Sequence, residues 1–208
     1  MYNLNMPSKN RVKQYTPHTF YHVYNRGIDK QVIFRDEADF TYFLKLMKRY
    51  MSPGEKDSQR HGYRTFEKEL EILAFCLMKN HVHFLFYVHD DTKTITDYFR
   101  SLTNAYVRYF NEKYQRVGHL FQDIFKAVSV DNDPYLLHIS RYIHLNPSEF
   151  RDYPYSSYQY YLGNKQSDWV KPARILDLYP VASYEDFVTS AREDDEEMGF
   201  IEELLAGH

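Results

Sequence analysis

In the stretch TFYHVYNRG, Phe20, His22 and Tyr24 alternate with Tyr21, Val23 and Asn25, and the run stops at Gly27. A period of two that ends on glycine predicts a strand entering a turn. The period then changes. In DEADFTYFLKLMKRYM, Phe40, Phe43, Leu44, Met47 and Met51 recur at three and four behind a first turn of acids, which predicts an amphipathic helix. SPGEKDSQRHGYRTF has no period and carries Pro53, Gly54 and Gly62, so it reads as a loop. LEILAFCLM and HVHFLFYV are apolar and strand-length, and only Lys79 and Asn80 separate them. That spacing predicts a tight hairpin with Asn80 tolerating positive φ. From Thr92 to Tyr114, the residues Ile95, Tyr98, Phe99, Leu102, Ala105, Tyr106 and Tyr109 give a longer helix, and FKAVSV gives a short β-branched strand. DNDPYLLHISRYIHLNP predicts a third helix with Asp133 as N-cap, Pro134 as first helical residue and Pro147 as the stop.

The order strand, helix, strand, strand, helix, strand predicts an α+β protein with the ferredoxin-like split fold: an antiparallel sheet with helices on one face, followed by an extra helix. Residues 18–147 would form this domain. Residues 148–208, with YPYSSYQYYLG, Trp169 and SYEDFV, would be an appended tail that packs on the core before turning acidic.

Composition narrows the class. The 208 residues are 43% hydrophobic, enough to bury one substantial core. No apolar run approaches the roughly 18 residues of a membrane crossing, and the first twenty residues are polar, so a cytoplasmic protein is expected. A single cysteine, Cys76, permits no disulfide within the chain and reads as a small core residue. The formal net charge of −3 conceals an asymmetry: residues 1–180 carry 25 Lys and Arg against 20 Asp and Glu, while seven acids crowd the last sixteen residues. A mildly basic body permits nucleic-acid binding without demonstrating it.

The chemistry-bearing residues are unevenly placed. His81 and His83 lie two apart on a strand, so both imidazoles project to one face, about 6–7 Å apart, where they can converge on a divalent cation. A half-exposed strand face explains the pair equally well. In the third helix His138, Tyr142 and Asn146 are spaced by four and share a stripe, which places a phenol, a carboxamide and another imidazole together. His22 falls on the opposite face of its strand from Val23, with nothing to say which face holds a site.

NHVHFLF resembles the His-hydrophobic-His motif of the HUH endonucleases, and RYIHLNP resembles the nucleophile helix of single-tyrosine HUH transposases. YHVYNRG, GHLFQDIFKAVSV and YPYSSY are similar to segments of the REP-associated tyrosine transposase subgroup, in the same order over residues 18–162. The resemblance implies a transposase that cleaves and rejoins single-stranded DNA next to a hairpin. It implies that His81, His83 and Asn146 bind Mg²⁺ or Mn²⁺ and that Tyr142 forms a 5′-phosphotyrosine intermediate; by helical geometry alone His138 is a rival third ligand, ranked below Asn146. Arg26, Arg108, Lys113, Arg116 and Lys126, interleaved with aromatic residues, are candidates for holding the DNA. The expected partner is single-stranded or hairpin DNA, with no membrane and with either a monomer or a homodimer; bound to DNA, the protein would sit with the nucleoid. The sequence departs from the family at His144, where Glu is common, which leaves open how the metal or tyrosine is tuned there. Two other readings compete: a domesticated hairpin-binding protein with little or no cleavage, and a metal-dependent hydrolase using bound water.

Overall fold

Alternation along strand β1 (Thr19–Arg26) puts Tyr21 and Val23 on one side and His22 and Tyr24 on the other, and every later element packs on one of these two faces. In a computed structural model of the chain, residues 15–53, 63–122, 124–130, 133–177 and 183–190 are described. Most of the charged loop and the acidic run at 193–203 lie outside them. Strands β2 (Leu70–Met78), β3 (His81–Val88) and β4 (Lys126–Val130) complete an antiparallel sheet in the order β2-β3-β1-β4. This is the split order that the element pattern predicts.

The helices α1 (Glu37–Met51) and α2 (Thr94–Lys113) cover the first face. Phe40, Phe43, Met47, Phe99, Leu102 and Tyr106 meet Val23, Phe75, Leu77, Val82, Phe84 and Phe86 there. Each fully buried ring of this kind contributes roughly 1.5–3 kcal/mol of transfer free energy, so this layer is the main source of stability. Asp36 caps α1, its carboxylate accepting from the Asp39 amide at 3.1 Å.

The second face is covered by helix α3 (Asp133–Leu145), which begins one residue before the expected Pro134. A C-terminal extension containing α4 (Tyr158–Tyr161), α5 (Ala173–Leu176) and α6 (Tyr184–Thr189) lies over it. Leu136, Ile139 and Ile143 of α3 meet Leu73, Ala74, Cys76 and Leu85 of the sheet, with Tyr158, Tyr161, Ile175, Tyr184 and Val188 closing the layer. A register shift between Ile72 and Ala74 puts Leu73 and Ala74 together on this side. Cys76 is buried in this layer, as its apolar neighbours suggest.

The hairpin between β2 and β3 closes at Lys79-Asn80, but neither residue takes positive φ. It is held from outside instead. Gly27 N donates to Asn80 O at 2.9 Å, and the amides of Ile33 and Phe34 donate to Lys79 O at 2.8 and 3.0 Å. A Cβ at Gly27 would collide with the carbonyl oxygen of Gln31, so glycine is needed for this close passage. The staple fixes the start of β3, where His81 stands.

Candidate active site

His81 and His83 of β3 and His22 and Tyr24 of β1 all point to the second face, beneath α3. Pairing sets Tyr24 opposite His83 and Arg26 opposite His81, so two strands distant in sequence build one floor. Tyr142 lies over it from α3, edge-on to His83 at 5.6 Å and to His22 at 6.0 Å between ring centroids. Asn146, one turn later, reaches His81.

The polar contacts around His81 fix its protons. Asn146 Nδ2 donates to the Tyr142 carbonyl at 2.9 Å, which turns Oδ1 toward His81 Nε2 at 3.2 Å. Asn80 Nδ2 donates to Lys30 O at 3.3 Å, which turns its Oδ1 toward His81 Nδ1 at 2.6 Å. Burial first, and Arg26 in the same direction, hold the His81 pKa below its ordinary 6.5 despite the opposing effect of Asn146. A neutral imidazole owns one N–H. It can satisfy one of the two carboxamide oxygens, and the shorter contact is to Asn80. The Nε2 lone pair then faces the lone pairs of Asn146 Oδ1, an arrangement that a cation between or beside them would relieve. The 3.2 Å spacing is close to the roughly 3 Å edge of an octahedron with metal–ligand distances of about 2.1 Å.

His83 is 4% exposed, and burial first, then His22 and His81, push its pKa well below 6.5. Its Nδ1 lies 3.1 Å from Nε2 of His22, the rings stacked at 5.3 Å, and burial lowers the His22 pKa to about 3. Both rings are neutral at physiological pH. Tyr24 stacks on His83 at 5.9 Å. Among the described residues no three His, Cys, Asp or Glu side chains meet in a metal-binding group, and the oxygen that lies against His81 Nε2 is that of the Asn146 carboxamide. Imidazole nitrogens with an amide oxygen, and no thiolate, suit a divalent ion that keeps oxygen ligands from water or phosphate. The residues therefore fit the implied Mg²⁺ or Mn²⁺.

A cavity of about 310 Å³ opens beside these groups, and Tyr142, His81 and His83 share its wall with Arg26, Lys30 and Lys126. Among the described residues no carboxylate lines it. The Arg26 guanidinium donates to Gln122 Oε1 at 3.3 and 3.2 Å, and Lys126 Nζ sits 5.6 Å from the centre of the Tyr24 ring.

The other candidates lie elsewhere. Lys113 Nζ donates to Asp36 at 2.7 Å and to Asp39 at 2.8 Å, clamping α2 to α1. Arg116 donates to Gln31 Oε1 at 3.4 Å and lies over Phe110. Arg108 is exposed on α2 and does not line the cavity. His138 contacts Arg141 Nη2 at 3.0 Å and the Phe187 ring at 5.5 Å, not the histidine pair. His144 faces away from the site: Nδ1 meets Tyr184 Oη at 2.8 Å and Nε2 meets Ser157 Oγ at 2.7 Å, fully buried in the second layer. Sequence reasoning placed His22 on a face without knowing it was this one, and it passed over Tyr24, Lys30 and Asn80. The Asn-His dipeptide at residues 80–81 was the available signal for the last.

The family model described as transposase IS200 like matches residues 63–146, which run from before β2 to Asn146 and include His81, His83 and Tyr142. No curated protein matches the chain. Among solved structures, a REP-associated tyrosine transposase bound to a REP hairpin matches with a TM-score of 0.52 and 14% identity, covering 79% of this chain and 98% of the other. Residues 63–146 are thus similar in sequence to the IS200-like transposase model, on a fold similar to that of a REP-associated tyrosine transposase.

Proposed function

We propose that the protein is a single-strand DNA endonuclease and strand transferase that works beside a hairpin. Tyr142 is its nucleophile, and His81, His83 and Asn146 hold a divalent ion. The observation that carries this reading is one cavity in which a tyrosine, two neutral imidazoles and three cationic side chains converge. The hairpin bound by the structural relative supports the choice of substrate.

Arg26, Lys30 and Lys126 would hold the phosphates against the floor of the site. Tyr142 Oη bonds to phosphorus as the 3′-oxygen departs, leaving a 5′-phosphotyrosine and a free 3′-hydroxyl that can reverse the step on the same or another strand. When bound, Mg²⁺ or Mn²⁺ supplies polarisation of the phosphate oxygens and neutralises charge that builds up on them. Asn146 serves twice, since its amide nitrogen is anchored on the carbonyl of Tyr142 while its oxygen faces His81. That couples the position of the nucleophile's helix to the ion site.

End-labelled hairpin DNA with a single-stranded flank, incubated with protein and Mn²⁺, should give a covalent adduct on a denaturing gel for wild type and none for Tyr142→Phe. Cleavage that survives Tyr142→Phe would replace this mechanism with metal-bound water. Hairpin binding with no cleavage by wild type would make the protein a binding module.

A further inference from the structure

The closest polar contact of His83 is to another histidine. His22 Nε2 and His83 Nδ1 are 3.1 Å apart, the rings are stacked within 11° of parallel, and both side chains are buried. A contact between two neutral imidazoles has one N–H and one lone pair, so only two arrangements exist. If His22 Nε2 carries the proton, His83 receives it at Nδ1, its own proton sits on Nε2, and no lone pair is left for an ion. If His83 Nδ1 carries the proton, His22 Nε2 accepts it and His83 Nε2 keeps a free lone pair for the cavity.

We propose that His22 is the positioning residue of the site: it accepts a hydrogen bond from His83 Nδ1 and thereby holds His83 in the tautomer whose Nε2 can bind a divalent cation. The inference rests on the reading of His81 and His83 as ligands and adds a residue from a different strand that the family match at residues 63–146 does not include. It also completes a symmetry in the floor. His81 donates from Nδ1 to Asn80 and His83 donates from Nδ1 to His22, so both ligands are oriented by a partner behind them while both Nε2 atoms serve the cation side. Such partners behind a ligating histidine fix its tautomer and ring plane, and their loss typically costs 10–100-fold in metal affinity. His22 is not itself a ligand in this arrangement, because its Nε2 is spent on His83.

The test reads protons and metal separately. Long-range ¹H–¹⁵N spectra of the metal-free protein should show His83 in the Nδ1–H form in wild type and in His22→Gln, whose amide oxygen can accept the same hydrogen bond. His22→Phe, which keeps a stacked ring but has no acceptor, should shift His83 toward the Nε2–H form. Mn²⁺ affinity, followed by the EPR signal of the free ion, should fall about 10–100-fold in His22→Phe and recover in His22→Gln. Retained hairpin-DNA binding reports that each variant is folded; if His22→Phe is not, the wild-type tautomer and the His22→Gln affinity decide. An Nε2–H form of His83 in wild type, or unchanged Mn²⁺ affinity in a folded His22→Phe, overturns the inference alone. A wild type that binds no Mn²⁺ through His81 and His83 overturns the metal reading and this inference with it.

Discussion

His144 stands two residues after the proposed nucleophile, yet the two side chains serve opposite sides of α3. Two residues correspond to about 200° around a helix, so Tyr142 over the site leaves His144 in the second layer of the core. There it bridges two hydroxyls, Tyr184 Oη at 2.8 Å and Ser157 Oγ at 2.7 Å, tying the helix to the extension. Replacing it with Ala would take one partner from each hydroxyl, leaving Tyr184 with Ser140 and Ser157 with the Phe75 backbone, and open a cavity, at a cost of about 2–4 kcal/mol. Burial lowers its pKa from 6.5 to about 3. The unfolded chain therefore binds the proton that the folded chain refuses throughout this interval, and stability is full above pH 6.5 and falls as the pH drops toward 3. Urea midpoints between pH 7 and 4.5 should decline in wild type and decline less steeply in His144→Gln, which keeps a donor and an acceptor but cannot titrate. An identical slope in the two proteins would mean that His144 is not the group excluded from protonation. The same helical arithmetic was available from the sequence, where the departure from Glu at this position looked like a change at the site. His22 was not legible in that way, because alternation assigns it a face only relative to Val23, and which face lies under α3 is decided by strand order and by a helix more than a hundred residues away.

The elements that support the site's sheet from either face are held by polar clamps. On the first face, Asp39 of α1 is fully buried and accepts from Lys113 Nζ at 2.8 Å, Tyr114 Oη at 2.8 Å, Tyr109 Oη at 3.2 Å and the Arg35 amide at 2.8 Å. Asp39→Ala should lower the free energy of unfolding by about 3 kcal/mol, the lower end for a broken buried pair because Lys113 keeps Asp36. A chemical denaturation curve checks it, and a loss below 1 kcal/mol would deny the clamp its role. On the second face, Arg174 forms a two-pronged pair with Glu71 of β2, both contacts at 2.7 Å, and so fastens α5 to the sheet. Burial alone would raise the Glu71 pKa, but Arg174 and His89 outweigh it and leave the carboxyl below its usual 4.5. The pair's contribution is thus present above pH 4.5 and lost as pH falls through the lower folded value. Arg174→Ala should cost about 1–2 kcal/mol at pH 7, since the guanidinium is partly exposed, and progressively less below pH 4.5. Equal cost at pH 7 and pH 4 would contradict the ion pair as its source. Periodicity made these elements legible nearly to the residue, as with the hairpin strands at 70–78 and 81–88. It could not reveal the clamps, because Asp39 with Lys113 and Glu71 with Arg174 are neighbours only once the chain has folded.

Across the whole molecule, charge is distributed against its own average. The chain is formally −3, yet the cavity beside Tyr142 gathers Arg26, Lys30 and Lys126 and, among the described residues, no acid. A local concentration of positive charge is what a polyanion senses within a screening length of about 8–10 Å, so the net figure says little about DNA. The sequence offered five basic residues on equal terms, and folding divides them. Arg26 and Lys126 end up on paired strands at the cavity, because Tyr24 is registered against both His83 and Lys126. Lys113 ends up in the α1–α2 clamp. This division predicts how hairpin affinity responds to salt. Each phosphate contact contributes about 0.7 to the slope of log K against log salt for single strands and about 0.9 for duplex. Arg26→Ala and Lys126→Ala should each weaken binding and reduce the slope by about that amount, whereas Lys113→Ala should lower the denaturation midpoint and leave the slope unchanged. Titrations of labelled hairpin at several salt concentrations, run beside denaturation curves of the same variants, separate the two effects. A slope that falls for Lys113→Ala and not for Lys126→Ala would move the DNA path away from the tyrosine to the end of α2, and with it the claim that this cavity is where the strand lies.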